Sequence, residues 1–427
     1  MRNAAASTVK DRAVALPNLD SIIRGLLYVY IFCLPFKRLL FVERNGFIIL
    51  VALLVLWCAV NRRHFLTRTP IDLPLIAFIA WVAFTVPFAA SPSYSAKEFA
   101  KLLQQGLIFY VVAYFFRDRL HRTRLLWMLV GGLSVISLYG IGQFVDLLGV
   151  KPQEGEMMLV ESVTPGEVWL TTYLVMLIPL GLALALYVPR PSARMVGLAA
   201  VGAATLCLLL TFSRAGVLAL VCEAAAVAWF VRRRAVLIGM AAAVLAVVLG
   251  SAALFQFDVS VRGGWKAARG SSLPLADTGS LSHRYETWTF AMDKFADHWA
   301  VGVGYGKDSL KLAYEGRAAS GATPVNLGTH NTFIEMASGV GLPGLILFVW
   351  LLLRIVVTAI GGLPRAVHPA EKAILLGLGV SVIGLSVRLS LDHMLIGTLA
   401  LQFWVLVALA MVVYTGSPDR GHVADAA

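Results

Sequence analysis

The sequence predicts an all-α, polytopic integral membrane protein, and three observations lead there. Hydrophobic residues occupy 59% of the 427 positions and charged residues only 14%, more apolar surface than a water-soluble core can bury. Apolar runs of about 18 residues or more recur from Leu26 to Val413, each long enough to cross a hydrocarbon layer about 30 Å thick. Short polar stretches with arginine clusters separate the runs, as expected of helices threaded back and forth through a bilayer.

The expected spans are 21–38, 46–61, 71–90, 97–116, 125–146, 168–188, 195–212, 215–231, 235–255, 331–358, 372–391 and 394–415, about twelve in all. With the N-terminus on the inner side, the clusters Arg62–Arg63–Arg68, Arg117–Arg119–Arg122–Arg124, Arg190–Arg194, Arg232–Arg233–Arg234 and Arg365–Lys372 all fall inside. The positive-inside bias therefore places both termini in the cytoplasm. The net charge of +12 is dispersed among these clusters, which orient the protein and do not mark a nucleic-acid site. No short apolar segment with a cleavage site opens the chain, so the first span is expected to remain as an anchor.

Three regions follow: residues 1–255 with the first nine spans, a long outer loop 256–330, and residues 331–427 with the last three spans and a short inner tail. The four cysteines, Cys33, Cys58, Cys207 and Cys222, sit inside apolar runs without paired spacing, which argues against zinc and disulfides. No internal repeat is visible, against the inverted symmetry common in transporters.

In the long loop, Leu281, Tyr285, Trp288, Met292, Phe295 and Trp299 recur at steps of three and four with acidic residues and Lys294 between them. This predicts an amphipathic helix, lying on the outer bilayer surface or capping the bundle. Gly302, Gly304 and Gly306 read as a flexible turn that lets backbone approach a ligand. Gly339, Gly341, Pro343 and Gly344 interrupt the tenth span, so a short helix near Asn331 is expected to precede a crossing that starts near Val340. Irregular backbone at that depth requires cover from protein or a water-filled cavity.

The candidate site residues lie on the outer side. Arg214 follows Ser213, a candidate N-cap, in the turn TFSRAG. Arg284 follows Ser280 and Ser282 at the expected start of the amphipathic helix, and His330 precedes the helix near Asn331. A cation at a helix N-terminus opposes the macrodipole, and three on one side point to a bound anion, for which free N–H groups and a guanidinium fork are suited. A lipid-linked pyrophosphate is the expected ligand at that depth; snorkelling to lipid phosphates is the structural alternative. Arg388 and Asp392, spaced i,i+4, are expected to pair on the eleventh helix or line a substrate cavity. Lys37, Arg38 and Arg44 are expected to anchor the interface. Neither an H-E-x-x-H helix nor a D-x-D pair in the first outer loop is present, so no metal is expected; Glu154 and Glu156 read as a solvated loop pair.

The chain resembles the O-antigen ligase family, part of a wider ligase and polymerase group. The resemblance rests on the turn with Arg214, on R-Y-E-T-W at Arg284–Trp288, on D-H-W-A-V-G-V-G-Y-G at Asp297–Gly306, and on H-N-T-F-I-E-M-A-S-G-V-G-L-P-G from His330. It implies a GT-C-like membrane fold in the bacterial inner membrane with a periplasmic loop and active site. It implies metal-independent transfer of O-antigen polysaccharide from undecaprenyl pyrophosphate to the lipid A–core oligosaccharide, with no cofactor. His330 matches the family histidine, read as general base for an inverting displacement; Arg214 and Arg284 match its donor-binding arginines, and Asp392 a further acidic position. An O-antigen polymerase or a protein O-oligosaccharyltransferase would use the same lipid-linked donor. The latter usually carries an extra soluble domain that this sequence does not suggest. A twelve-helix transporter is the reading from another class.

Overall fold

The computed structural model describes residues 19–148, 160–231, 278–314, 328–393 and 395–416. The expected ninth span and the Glu154–Glu156 pair lie outside them. Thirteen α-helices are described: α1 (Leu19–Cys33), α2 (Leu40–Asn61), α3 (Asp72–Thr85), α4 (Pro92–Phe115), α5 (Arg119–Leu148), α6 (Glu167–Tyr187), α7 (Pro191–Leu210), α8 (Arg214–Val231), α9 (Thr278–Asp297), α10 (Ser309–Tyr314), α11 (Thr332–Gly362), α12 (Pro369–Leu389) and α13 (Gly397–Thr415). No strand occurs among the described residues. Eight of the helical segments are long and apolar enough to cross a membrane: α2, α5, α6, α7, α8, α11, α12 and α13.

The predicted spans that fall within the described residues coincide with helices, with boundaries moved for local reasons. The 21–38 span is only α1, which stops at Cys33 because Leu34 precedes Pro35 and the residue before a proline leaves the helical region. The 71–90 span becomes α3 and a 3-10 turn at Val86–Phe88 containing Pro87. The 97–116 span starts earlier, at Pro92 in the first turn of α4, where the missing N–H of proline is tolerated.

The bundle is organised around α6, α12 and α13, which are buried on nearly all sides, whereas α2 leaves most of its apolar surface outward. A helix that is hydrophobic all round belongs in a core or in lipid, and here the neighbours decide which. Close approach fixes the central pair: a Cβ on Gly377 of α12 would sit 2.8 Å from the Leu180 backbone of α6, the small-residue contact that lets membrane helices meet closely.

The break in the tenth span is real and has a partner. Gly341 adopts φ 74° and ψ 177° inside α11, and Pro343 has no N–H to offer Gly339 one turn back. The carbonyls of Ser338 and Gly339 thereby lose their helical donors, and the glycine segment after α9 supplies replacements. Val303 N–H donates to Ser338 O at 2.9 Å and Gly304 N–H to Gly339 O at 2.8 Å, while Leu342 N–H donates outward to Trp299 O at 2.8 Å. Buried backbone groups require such partners. The glycines thus bring the loop against the backbone of α11, and the expectation of a flexible turn approaching a ligand is corrected.

Gly302 has φ +70°, and a Cβ there would lie 2.2 Å from Gly339 O. Gly302→Ala is expected to destabilise the protein by about 2–4 kcal/mol through left-handed strain and overpacking. Thermal unfolding of the detergent-purified protein measures it, against Gly131→Ala, where a Cβ meets nothing within 4 Å and no loss is expected.

Helix α9 packs on α11, but only part of the expected aromatic stripe, Trp288 and Phe295, turns toward the bundle. Thr287 and Ala291 are fully buried, whereas Tyr285 is 72% exposed, and Met292 and Trp299 also point outward. The small side chains allow the close approach, and the large ones are left available to a headgroup layer. Both expected faces of this helix therefore exist, one capping the bundle and one turned outward.

Candidate functional site

Three segments distant in sequence meet at one end of the bundle: α9, the approach to α11, and the turn after α12. Asn331 caps α11, its Oδ1 accepting from Phe333 N–H at 3.0 Å and Ile334 N–H at 3.2 Å, which ends the preceding segment sharply. His330, just before this cap, has φ 44°, a left-handed conformation uncommon outside glycine. In that conformation its Nδ1 reaches Asp392 Oδ1 at 3.2 Å. Thr332 Oγ1 donates to the Asp392 carbonyl at 3.0 Å, and His393 N–H donates to Asp392 Oδ1 at 3.0 Å.

Two residues of one helical face clamp this arrangement. Arg284 Nη1 donates to Leu391 O at 2.8 Å, and Trp288 Nε1, one turn further along α9, donates to Thr329 O at 2.6 Å. One bond holds the turn carrying Asp392 and the other the segment carrying His330. The R-Y-E-T-W stretch thus acts as a positioning face as well as a source of charge.

Arg388 is 3% exposed and its Nη2 lies 3.5 Å from Asp392 Oδ2. The expected i,i+4 pair is present, with one correction: α12 ends at Leu389, so Asp392 approaches Arg388 from the following turn and not from the helix. Burial alone would raise the Asp392 carboxyl. The hydrogen bond with His330 and the charge of Arg388 outweigh it and hold the group below the ordinary carboxylate range. An ionised Asp392 can only accept, so Nδ1 of His330 is the donor in this bond, and in a neutral imidazole with that tautomer Nε2 is the acceptor. Burial pushes His393 below its ordinary value despite the adjacent carboxylate.

The predicted placements are otherwise met in part. Arg214 is the first residue of α8, and Ser213 Oγ accepts from Gly216 N–H at 3.3 Å, the cap read from the sequence. Its end of the bundle is that of His330, because Thr211 just before it bonds Thr171 in the first turns of α6 at 3.2 Å and Glu167 of that helix acts electrostatically on Arg388. Among the described residues no hydrogen bond or ion pair joins Arg214 to the cluster, and its side chain is exposed. Arg284 is not at a helix N-terminus: α9 begins at Thr278, placing Arg284 in its second turn, so the three-termini pattern holds only for Arg214 and His330.

Sequence reasoning missed His393, Glu335 and Glu167. His393 and Glu335 line a cavity with Glu98, Lys307, Tyr305 and Trp404 beside the His330–Asp392 pair. The D-H dipeptide at 392–393 was the available signal. His330, Asp392 and His393 also offer ligand atoms within 4.8 Å of one another, a set able to hold a metal that no search for H-E-x-x-H would find. Against a cation stand Arg388 at 3.5 Å from the shared carboxylate and Arg284, which reaches across from α9 to the Leu391 carbonyl of the same turn.

Residues 198–349 match the family described as O-antigen ligase. Among curated proteins, none matches the chain. The matched segment contains Arg214, Arg284, the glycine segment and His330, whereas Arg388 and Asp392 join them only through the fold. Over that segment the chain is similar to the O-antigen ligase family.

Proposed function

We propose that the protein transfers O-antigen polysaccharide from undecaprenyl pyrophosphate to the lipid A–core oligosaccharide at the periplasmic face of the inner membrane. The observation that carries the reading is the His330–Asp392 hydrogen bond set beside the guanidiniums of Arg388 and Arg284. An acceptor hydroxyl attacks the anomeric carbon while its proton passes to Nε2 of His330, which is half-exposed. The bond from that carbon to the phosphate oxygen breaks, and the pyrophosphate leaves with the electron pair. Arg284 and Arg214 neutralise the charge that grows on it, an electrostatic role worth several kcal/mol in comparable sites. Attack opposite the leaving group inverts the anomeric centre. Asp392 holds the imidazole in the required tautomer, and Arg388 keeps Asp392 ionised.

A deletion strain tests the reaction. Loss of all polymer-bearing lipid A with accumulation of lipid-linked polymer is expected; a single repeat remaining on lipid A would indicate a polymerase instead. The His330–Asp392–His393 set supports a second, metal-assisted reading. Purified protein is expected to retain transfer in excess EDTA, because two guanidiniums already occupy the electrostatic role; loss restored by a divalent cation would favour the metal.

Arg284→Lys is expected to lower transfer at least about tenfold in protein that still folds, because lysine keeps the charge but not the planar fork. Comparison of turnover with donor retention reads it out, and near-wild-type activity would leave Arg284 only its bond to Leu391.

A further inference from the structure

The cavity beside the His330–Asp392 pair differs in chemistry from the arginine side of the site. Four elements build its polar lining: α4 contributes Glu98 and Lys101, the glycine segment Lys307, the first turn of α11 Glu335, and the turn after α12 His393. The glycine segment holds α4 in place, since a Cβ on Gly306 would lie 2.6 Å from the Glu98 side chain and Asp308 N–H donates to Tyr94 Oη at 3.1 Å. The apolar wall includes Trp404, whose Nε1 donates to Gln105 Oε1 at 3.2 Å. Arg214, Arg284 and Arg388 are not among the lining residues.

Lys101 Nζ lies 2.6 Å from Glu98 Oε1, so that pair is spent on itself. Glu335 is different. Its half-buried carboxyl forms no hydrogen bond or ion pair among the described residues, and its charged neighbours are three carboxylates, Asp308, Glu98 and Asp392, with only Lys307 of opposite sign. A polar group kept in such surroundings without an internal partner is the kind of local inconsistency that proteins retain at functional sites. With no guanidinium in the lining and Lys101 already held, the cavity offers a pyrophosphate little positive charge. It offers a neutral, hydroxyl-rich group a carboxyl, the exposed Lys307 ammonium and an aromatic face.

We propose that this cavity is the acceptor-sugar subsite, with Glu335 bonding a hydroxyl of the sugar that attacks; the assignment rests on the transferase reading above. A sugar ring presents hydroxyls at its edge and C–H groups on its faces. Glu335 and Lys307 suit the edge and Trp404 a face, the combination of a mainly apolar pocket with a few orienting polar groups. An acceptor fits this side better than the donor, because attack comes from the side of the anomeric carbon opposite the pyrophosphate, and the arginines stand elsewhere. The base is within reach: His393, which lines the cavity, has its ring centroid 5.7 Å from that of His330.

Steady-state transfer by the detergent-purified full chain tests it, with lipid A–core lacking O-antigen varied at saturating lipid-linked donor, and the donor then varied at saturating acceptor. Glu335→Ala is expected to raise the acceptor KM at least about tenfold, the scale of one hydrogen bond to a charged group, with the donor KM unchanged. Glu335→Gln, whose amide still meets hydroxyls, should fall between wild type and Ala. The unfolding temperature should not drop, since the carboxyl has no internal partner to lose. Lys307→Gln, an exposed change at the same cavity, should raise the acceptor KM about threefold, the scale of a single exposed contact, whereas Lys97→Gln, exposed on α4 outside the lining, should move neither KM. An unchanged acceptor KM in Glu335→Ala and Lys307→Gln overturns the proposal, as does an equal rise in both KM values or a clear loss of stability in Glu335→Ala. Those results leave wild-type transfer intact and so sink the subsite alone; a wild type that transfers nothing to lipid A–core sinks the transferase reading and the subsite with it.

Discussion

His330→Gln is expected to lower the turnover of glycan transfer by about a hundredfold or more, the range of a positioned acid–base group, while expression and donor binding persist. Glutamine can still hydrogen-bond Asp392 but cannot take a proton from the acceptor. His330 is not packed into the core, with 37% of its side chain exposed, so stability should change little. Transfer by purified wild type and variant, with donor retention measured separately, decides the matter. Substantial activity in folded His330→Gln would reduce the histidine to an orienting role and make Asp392 the next candidate base.

Asp392→Asn is expected to act on stability and turnover together. Arg388 would remain 3% exposed without its counter-charge, and breaking one side of a buried pair costs about 3–5 kcal/mol. The folded state holds Asp392 below its ordinary range. The stability this contributes is fully present above the unfolded carboxylate value and drains away as pH falls through the lower folded value. The asparagine variant should lack that acid-side loss. Adding Arg388→Met should restore much of the stability but not the turnover, since the imidazole would still lack its anionic partner. Thermal unfolding at several pH values and transfer assays on the same preparations separate the two effects; full recovery of turnover in the double variant would remove Asp392 from the mechanism.

Much of the fold was legible because a membrane span is a local property of the chain. The run that predicts 168–188 is the run that forms Glu167–Tyr187, and the Ser213 cap is a three-residue event. The break near Val340 was readable from Gly341 and Pro343. What those residues bond to was not, since the donors Val303 and Gly304 lie more than a helix away in sequence. Amphipathic spacing foretold α9, yet the packed face proved to be Thr287 and Ala291. Against another helix, small size allows close approach, and hydrophobicity alone does not identify the contact face.

The candidate site divides in the same way. His330, Arg284, Arg214, Arg388 and Asp392 were nameable from the sequence because cations in polar stretches between spans and an i,i+4 pair are visible as short patterns, although Arg284 stands in the second turn of α9 and not at its start. Their roles relative to one another were not. His330 and Asp392 are separated by 62 residues and Arg284 and Leu391 by 107. His393 gained its place only when the turn after α12 folded back over the cap of α11. The sequence by itself determined that the chain crosses a membrane many times, where its helices lie and which polar residues stand at their ends, since hydropathy, proline and capping act within a few residues. Only the tertiary structure decided that one histidine faces one carboxylate, that an arginine from α12 and one from α9 both contact the turn carrying that carboxylate, and that a glycine segment fills the break in α11. Those contacts depend on how packed helices bring distant backbone together, which no local periodicity encodes.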